Sequence, residues 1–155
     1  MKRSMYTICT PVEGALYRDL LAFVSDQGYL GMLIEPPYPL LSENARAVLN
    51  KLHPYERIRA TSWPGTTLLQ EEATVNKFLL TRGAVDVLTD ATPSLLGWVA
   101  PELPEDLCVL RPDETPWLVT IAHEGDAYLE LADDEAPMLA KLEGLQIKRD
   151  EPVWS

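Results

Sequence analysis

Three runs decide the fold: Asp106-Leu107-Cys108-Val109-Leu110, Trp117-Leu118-Val119-Thr120-Ile121-Ala122 and Ala127-Tyr128-Leu129-Glu130-Leu131. They are rich in β-formers and are separated by Pro112-Asp113-Glu114-Thr115-Pro116 and by Glu124-Gly125-Asp126. Short β-rich runs parted by Pro, Gly and Asp clusters read as consecutive strands joined by tight turns. The stretch is therefore expected to form an antiparallel meander.

Working outward from it, Asp133 is positioned to cap a last helix in which Met138, Leu139 and Leu142 point inward. Gly144 ends that helix, and a tail closes with Trp154. Upstream, Ala84 to Thr89 suits a short helix. Residues 67 to 81 fit helix or strand, with strand favoured for 74 to 81, where Val75, Lys77 and Leu79 alternate.

Trp63-Pro64-Gly65-Thr66 marks a turn, with a strand expected after it. The period-two run from Arg57 to Ser62 predicts a half-exposed strand before it. Ser42 is placed to cap a helix with Ala45, Val48, Leu49 and Leu52 on one face, which His53-Pro54 stops. His53, at that helix end, suits capping of the last carbonyls.

Tyr29 to Ile34 is too short and too apolar for another surface helix and reads as a buried strand or extended connection. Thr10-Pro11-Val12-Glu13 has the pattern of a capping box opening a helix over 11 to 27, with Gly28 as its left-handed stop. Residues 5 to 9 suit a first strand. Together these elements predict one α+β domain over residues 1–155, with helices packed on a largely antiparallel β-sheet. The length suits a single core.

The formal net charge is −11, but it is unevenly placed. Residues 1 to 60 carry seven Lys/Arg against six Asp/Glu, and residues 61 to 155 carry six against eighteen. Residues 101 to 135 hold eleven acids with Arg111 as the only base, a net of −10 in 35 residues. Such a field repels nucleic acid and anionic membranes and speeds encounter with a basic partner. Direct nucleic-acid or membrane binding is not expected. No apolar run suits a signal peptide or a membrane span, which leads to the expectation of a cytoplasmic protein.

No phosphate-binding glycine loop, paired CxxC, zincin helix or EF-hand loop is present in the sequence, and no cofactor is called for. Cys9 and Cys108 lie in apolar surroundings and read as small buried core residues. His123 ends a predicted strand at a turn, a common place for functional side chains. An enzymatic alternative centres a small hydrolase-like site on His123, oriented by Glu124 or Asp126, with Cys108 as nucleophile. Adjacent strand residues point to opposite faces, so His123 and Glu124 do not pair naturally.

Trp117, in a central strand, reads as core. Trp98 opens the acidic stretch and suits an aromatic anchor beside complementary charge.

Trp98 and Pro101, Pro104-Glu105-Asp106-Leu107 and Trp117 to Glu124 together resemble small bacterial proteins that serve as immunity partners of secreted antibacterial toxins, polymorphic or type VI. The likeness spans roughly residues 63 to 131. It implies a non-enzymatic inhibitor that occludes the active site of a cognate toxin domain, often by setting negative charge against a basic nuclease. No functional residue is carried over from it.

The charge map nominates Trp98, Glu102, Glu105, Asp106, Asp113, Glu114, Glu124 and Asp126 as the partner-binding set. The partner is expected to be a basic protein, probed by fast, salt-sensitive association. A regulatory module using the same acids for another basic protein is the remaining alternative.

Overall fold

In a computed structural model, the structure describes residues 2–60 and 73–150. The Trp63-Pro64-Gly65-Thr66 turn, the strand start expected after it and the Trp154 tail lie outside the described residues.

Within the described residues the strands are β1 (Arg3–Ile8), β2 (Leu30–Glu35), β3 (Glu56–Ala60), β4 (Thr74–Leu79), β5 (Glu105–Leu110), β6 (Pro116–Ile121), β7 (Asp126–Ala132) and β8 (Ile147–Arg149). They form one sheet in the order β3-β4-β2-β5-β6-β7-β1-β8, and every neighbouring pair is antiparallel. The helices are α1 (Ala15–Ala22), α2 (Glu43–Leu52), α3 (Arg82–Ala91) and α4 (Ala136–Ala140). The α+β expectation and the β5-β6-β7 meander are both borne out.

The helices cover one face of the sheet. Leu16, Leu20 and Leu21 of α1, Val48 and Leu52 of α2, Val85 and Leu88 of α3 and Leu139 of α4 pack with Leu33, Phe78, Leu107, Val109, Leu118, Leu129 and Leu131. Trp117 lies fully buried in this core, its ring stacked on Phe23 at 6.2 Å and met edge-on by Tyr29 at 5.9 Å. Strand alternation sends Leu30, Met32, Val75, Cys108, Leu110 and Val119 to the other face, where they form a smaller buried cluster. Gly31 faces Phe78 across the β2–β4 pair, and a β-carbon there would come within 2.3 Å of the ring. A side chain at this position would therefore force the Phe78 ring to shift.

The Ser42 cap follows the sequence reading, and the structure adds a second at Thr81. Ser42 Oγ accepts the Ala45 N–H at 3.2 Å, and Thr81 Oγ1 accepts that of Ala84 at 3.2 Å. The predicted box at Thr10 does not form. Val12 and Glu13 are instead drawn into extended pairing: the Val12 carbonyl accepts the Leu95 N–H at 2.9 Å and Glu13 bridges Ser94. Thr10 Oγ1 accepts from Gln146. The helix starts only after Gly14, whose φ of 60° turns the chain.

Other expectations are also corrected. Asp133 does not cap α4; the carboxylate of Glu135 turns back to accept the Ala132 N–H at 2.9 Å. Met138 points outward, while Leu139 is buried. Cys9 is exposed, because it lies just past the end of β1, whereas Cys108 is buried as expected. His53 stands at the end of α2, but its imidazole pairs with Glu56, Nδ1 to Oε2 at 2.7 Å, rather than with the helix carbonyls.

Candidate functional site

The acids of residues 101 to 135 are divided by the sheet. β5 and β6 run antiparallel, so their 111–115 turn lies at one end while Glu105, Ile121 and the residues after it lie at the other. Six residues at about 3.3 Å each put those ends some 17–20 Å apart.

At the turn end the negative charge is consumed locally. Asp113 Oδ1 accepts both the Thr115 N–H (3.0 Å) and its hydroxyl (2.6 Å), bonds that hold its carboxyl below the usual aspartate range. Glu114 is ion-paired with Lys77 at 2.9 Å. Arg111 is buried and holds Glu135 in a two-pronged pair at 2.7 and 2.9 Å, while donating to the Glu130 carbonyl at 2.7 Å. The sole cation of the acidic stretch is therefore a structural clamp joining the β5–β6 turn to the end of β7.

At the opposite end a bulge builds the geometry. Ile34 pairs with Glu105 and Met32 with Cys108, so Leu33 alone opposes both Asp106 and Leu107. Asp106 takes the extra position at φ 54°, a left-handed conformation that aspartate tolerates better than most residues. Its N–H donates to the Trp98 carbonyl at 3.1 Å, and its carboxylate accepts the Ala122 N–H at 2.8 Å. This contact ends β6 and starts the 3-10 turn Ala122–Glu124, which Gly125 closes at φ 73°. His123 and Glu124 are thereby exposed on the turn, beside Glu105 and Asp126, both half-buried. Glu102 is exposed in the preceding loop, where its carbonyl accepts from Asn44 at 2.9 Å and ties that loop to the start of α2.

The electrostatics of this end are uncompensated. Burial raises the Glu105 carboxyl above its ordinary value, the Asp106 charge adds to that, and His123 and the Ala100 amide oppose it. Burial likewise raises Asp106, against the Ala122 amide and His123. Among the described residues no Lys or Arg is ion-paired with Glu102, Glu105, Asp106, Glu124 or Asp126.

Two of the nominated residues cannot face a partner. Trp98 is fully buried: its indole N–H donates to the Tyr17 hydroxyl at 3.1 Å, and that hydroxyl donates to the Leu88 carbonyl at 3.1 Å. It anchors the core beneath the acidic loop, not a partner. Asp106 is also buried, its carboxylate committed to the turn. Asp113 and Glu114 are exposed but at the far end. What remains at the acidic end is Glu105, Glu124 and Asp126 around the His123 turn, with Glu102 exposed in the loop that leads into β5.

His123 has carboxylates within electrostatic reach, which would suit proton transfer, but the nucleophile once paired with it is out of reach. Cys108 is buried on a strand, and desolvation pushes its thiol up to about 12, so it stays protonated at neutral pH. No cluster of three or more His, Cys, Asp or Glu side chains suited to a metal ion occurs among the described residues.

Comparison with known protein families, with curated proteins and with solved structures returns no match. The site must be read from its own chemistry. No described helix is long and apolar enough to cross a membrane.

One feature of this region was not accessible from the sequence. On the sheet face away from the helices, a groove of about 280 Å³ is lined by Met5, Pro116, Val119, Ile121, Tyr128, Glu130 and Asp150. Its residues come from β1, β6, β7 and the segment after β8, and only the register of those strands brings them together.

Proposed function

We propose that the protein is an inhibitor of the immunity type, which binds a cognate basic toxin domain through the acidic end of its sheet. Glu102, Glu105, Glu124 and Asp126 form the contact. The observation that carries this reading is the missing compensation: Glu105 and Glu124 lie beside the buried Asp106 carboxylate, and none of the four acids has a Lys or Arg ion-pair partner among the described residues. A fold carries such repulsion at a cost, and a cationic partner would relieve it. At the turn end, by contrast, Glu114 is ion-paired with Lys77 and Glu135 with Arg111, so acidity alone is not the signal.

The mechanism is occlusion. Unpaired carboxylates steer a basic domain toward this end of the sheet, and contact then excludes that domain's substrate. The test is co-expression with the toxin domain of its own genetic neighbourhood, read as growth. The wild-type chain should protect and a Glu105→Lys/Glu124→Lys/Asp126→Lys variant should not, and the association rate should fall steeply with added salt. Equal protection by the reversed variant would overturn the proposal, as would a salt-independent rate.

A further inference from the structure

The sheet face away from the helices extends the acidic end into a surface of a different kind. The second buried cluster reaches Val119, and Val119 also lines the groove with Pro116, Ile121, Tyr128 and Met5. Met5 is 38% exposed, one of few large apolar side chains so placed. Register sets Met5 opposite Glu130, Thr7 opposite Tyr128 and Ile121 opposite Asp126, so apolar and acidic side chains alternate across one face.

Three carboxylates border these apolar groups. Glu130 and Asp150 line the groove, and Asp126, next to Ile121, is hydrogen-bonded to Tyr128. The Tyr128 phenol records the local field: burial raises its proton affinity first, then the charges of Asp126, Asp150 and Glu124 add to it. Two cations share this face: Arg3, whose guanidinium donates to the Thr115 hydroxyl at 2.9 Å beside Pro116, and Lys148, which the register sets opposite Thr7 on the outer strand, against the three carboxylates. Asp126 belongs both to this face and to the acidic end of the sheet.

We infer that this groove is a docking surface for an amphipathic segment of a basic protein: one or two apolar side chains seat over Met5, Val119, Ile121 and Tyr128, and flanking Lys or Arg residues meet Asp126, Glu130 and Asp150. Apolar area supplies the contact and the carboxylates choose the sign of the partner's charge. The inference rests on the reading of the protein as a binder of a basic partner and names the surface that reading lacked.

The experiment uses the full chain and three labelled synthetic peptides followed by fluorescence anisotropy: Lys-Arg-Leu-Phe-Lys-Arg, Lys-Arg-Gly-Ser-Lys-Arg and Glu-Asp-Leu-Phe-Glu-Asp. The first should bind about 10- to 100-fold more tightly than the second, the factor that burial of one large apolar side chain brings. The third should not bind. Met5→Arg should erase the difference between the first two while circular dichroism stays unchanged, and Ile121→Arg serves if that variant fails to fold. If the two basic peptides bind alike and Met5→Arg alters neither, the groove is refuted while the acidic binding reading stands. If the acidic peptide binds as well as the basic ones, or none binds, both fail. Concentration-dependent self-association abolished by Met5→Arg would assign the groove to a second copy and overturn the inference.

Discussion

Replacing Tyr17 with phenylalanine tests how the core holds the acidic loop in place. The Tyr17 hydroxyl makes two buried bonds, accepting from the Trp98 indole and donating to the Leu88 carbonyl, each at 3.1 Å. Leu88 lies in the last turn of α3, whose final carbonyls have no partner within the helix. Tyr17→Phe keeps the ring and removes both bonds, stranding one donor and one acceptor in a site where Tyr17 is 1% and Trp98 0% exposed. Each stranded buried group costs about 1–3 kcal/mol, and the isosteric ring opens almost no cavity, so the loss should be about 2–4 kcal/mol. With a urea slope of about 2 kcal/mol/M, the unfolding midpoint should fall by about 1–2 M at unchanged slope. Trp98→Phe strands neither group but loses packing, and provides the contrast. A Tyr17→Phe midpoint within about 0.3 M of wild type would show that the two bonds carry no net stability.

The remaining expectations concern the acids and the thiols. Glu135→Gln leaves the buried Arg111 without a counter-charge and should cost about 2–4 kcal/mol in urea unfolding at pH 7. Burial works against ionisation of Glu135, but the Arg111 hydrogen bond, the Ala132 amide and the charges of Arg111 and Arg3 outweigh it, so its folded proton affinity is lowered. Its stabilisation is therefore present above the ordinary glutamate range and lost as pH falls through the folded value. Unfolding midpoints measured from pH 7 downward should show that loss in wild type and not in Glu135→Gln. Asp106→Asn keeps an acceptor for the Ala122 N–H and tolerates φ 54°, so it should stay within about 1 kcal/mol of wild type; Asp106→Ala loses both advantages and should cost about 2–3 kcal/mol. Titration with a chromogenic disulfide should count one fast thiol, Cys9, in the native protein and two in denaturant, and prompt reaction of both would contradict the burial of Cys108.

The meander was legible because its signals are local: β-branched and aromatic runs stop at Pro112, Pro116 and Gly125, and turn chemistry acts within a few residues. Ser42 was legible for the same reason. Thr10 misled because tertiary pairing outweighs a local cap: Val12 and Glu13 find partners at Leu95 and Ser94, more than eighty residues away. Charge density picked out Glu102 and Glu124, which are exposed, and Glu105 and Asp126, which are half-buried. It could not separate them from Asp113 and Glu114, because proximity along a hairpin says nothing about which end of it a residue occupies. Trp98 looked like an anchor for want of any sign of Tyr17, its partner 81 positions away. The groove had no signature at all: Met5, Ile121, Tyr128 and Asp150 meet only through strand order.

That strand order also governs how the chain can be made. Of the described strands β1 is made before the rest, yet its two neighbours, β7 and β8, lie at residues 126 to 132 and 147 to 149. Until those emerge, Arg3 to Ile8 has unpaired edges on both sides, while β2, β4 and β5 can already join. The sheet is thus completed by an insertion: β1 enters between β7 and β8, both of which follow it in the chain, and Met5 takes its place on the face away from the helices in that same step. A groove assembled this way forms only once β8 and Asp150 have emerged, so a product stalled or truncated before them would lack it.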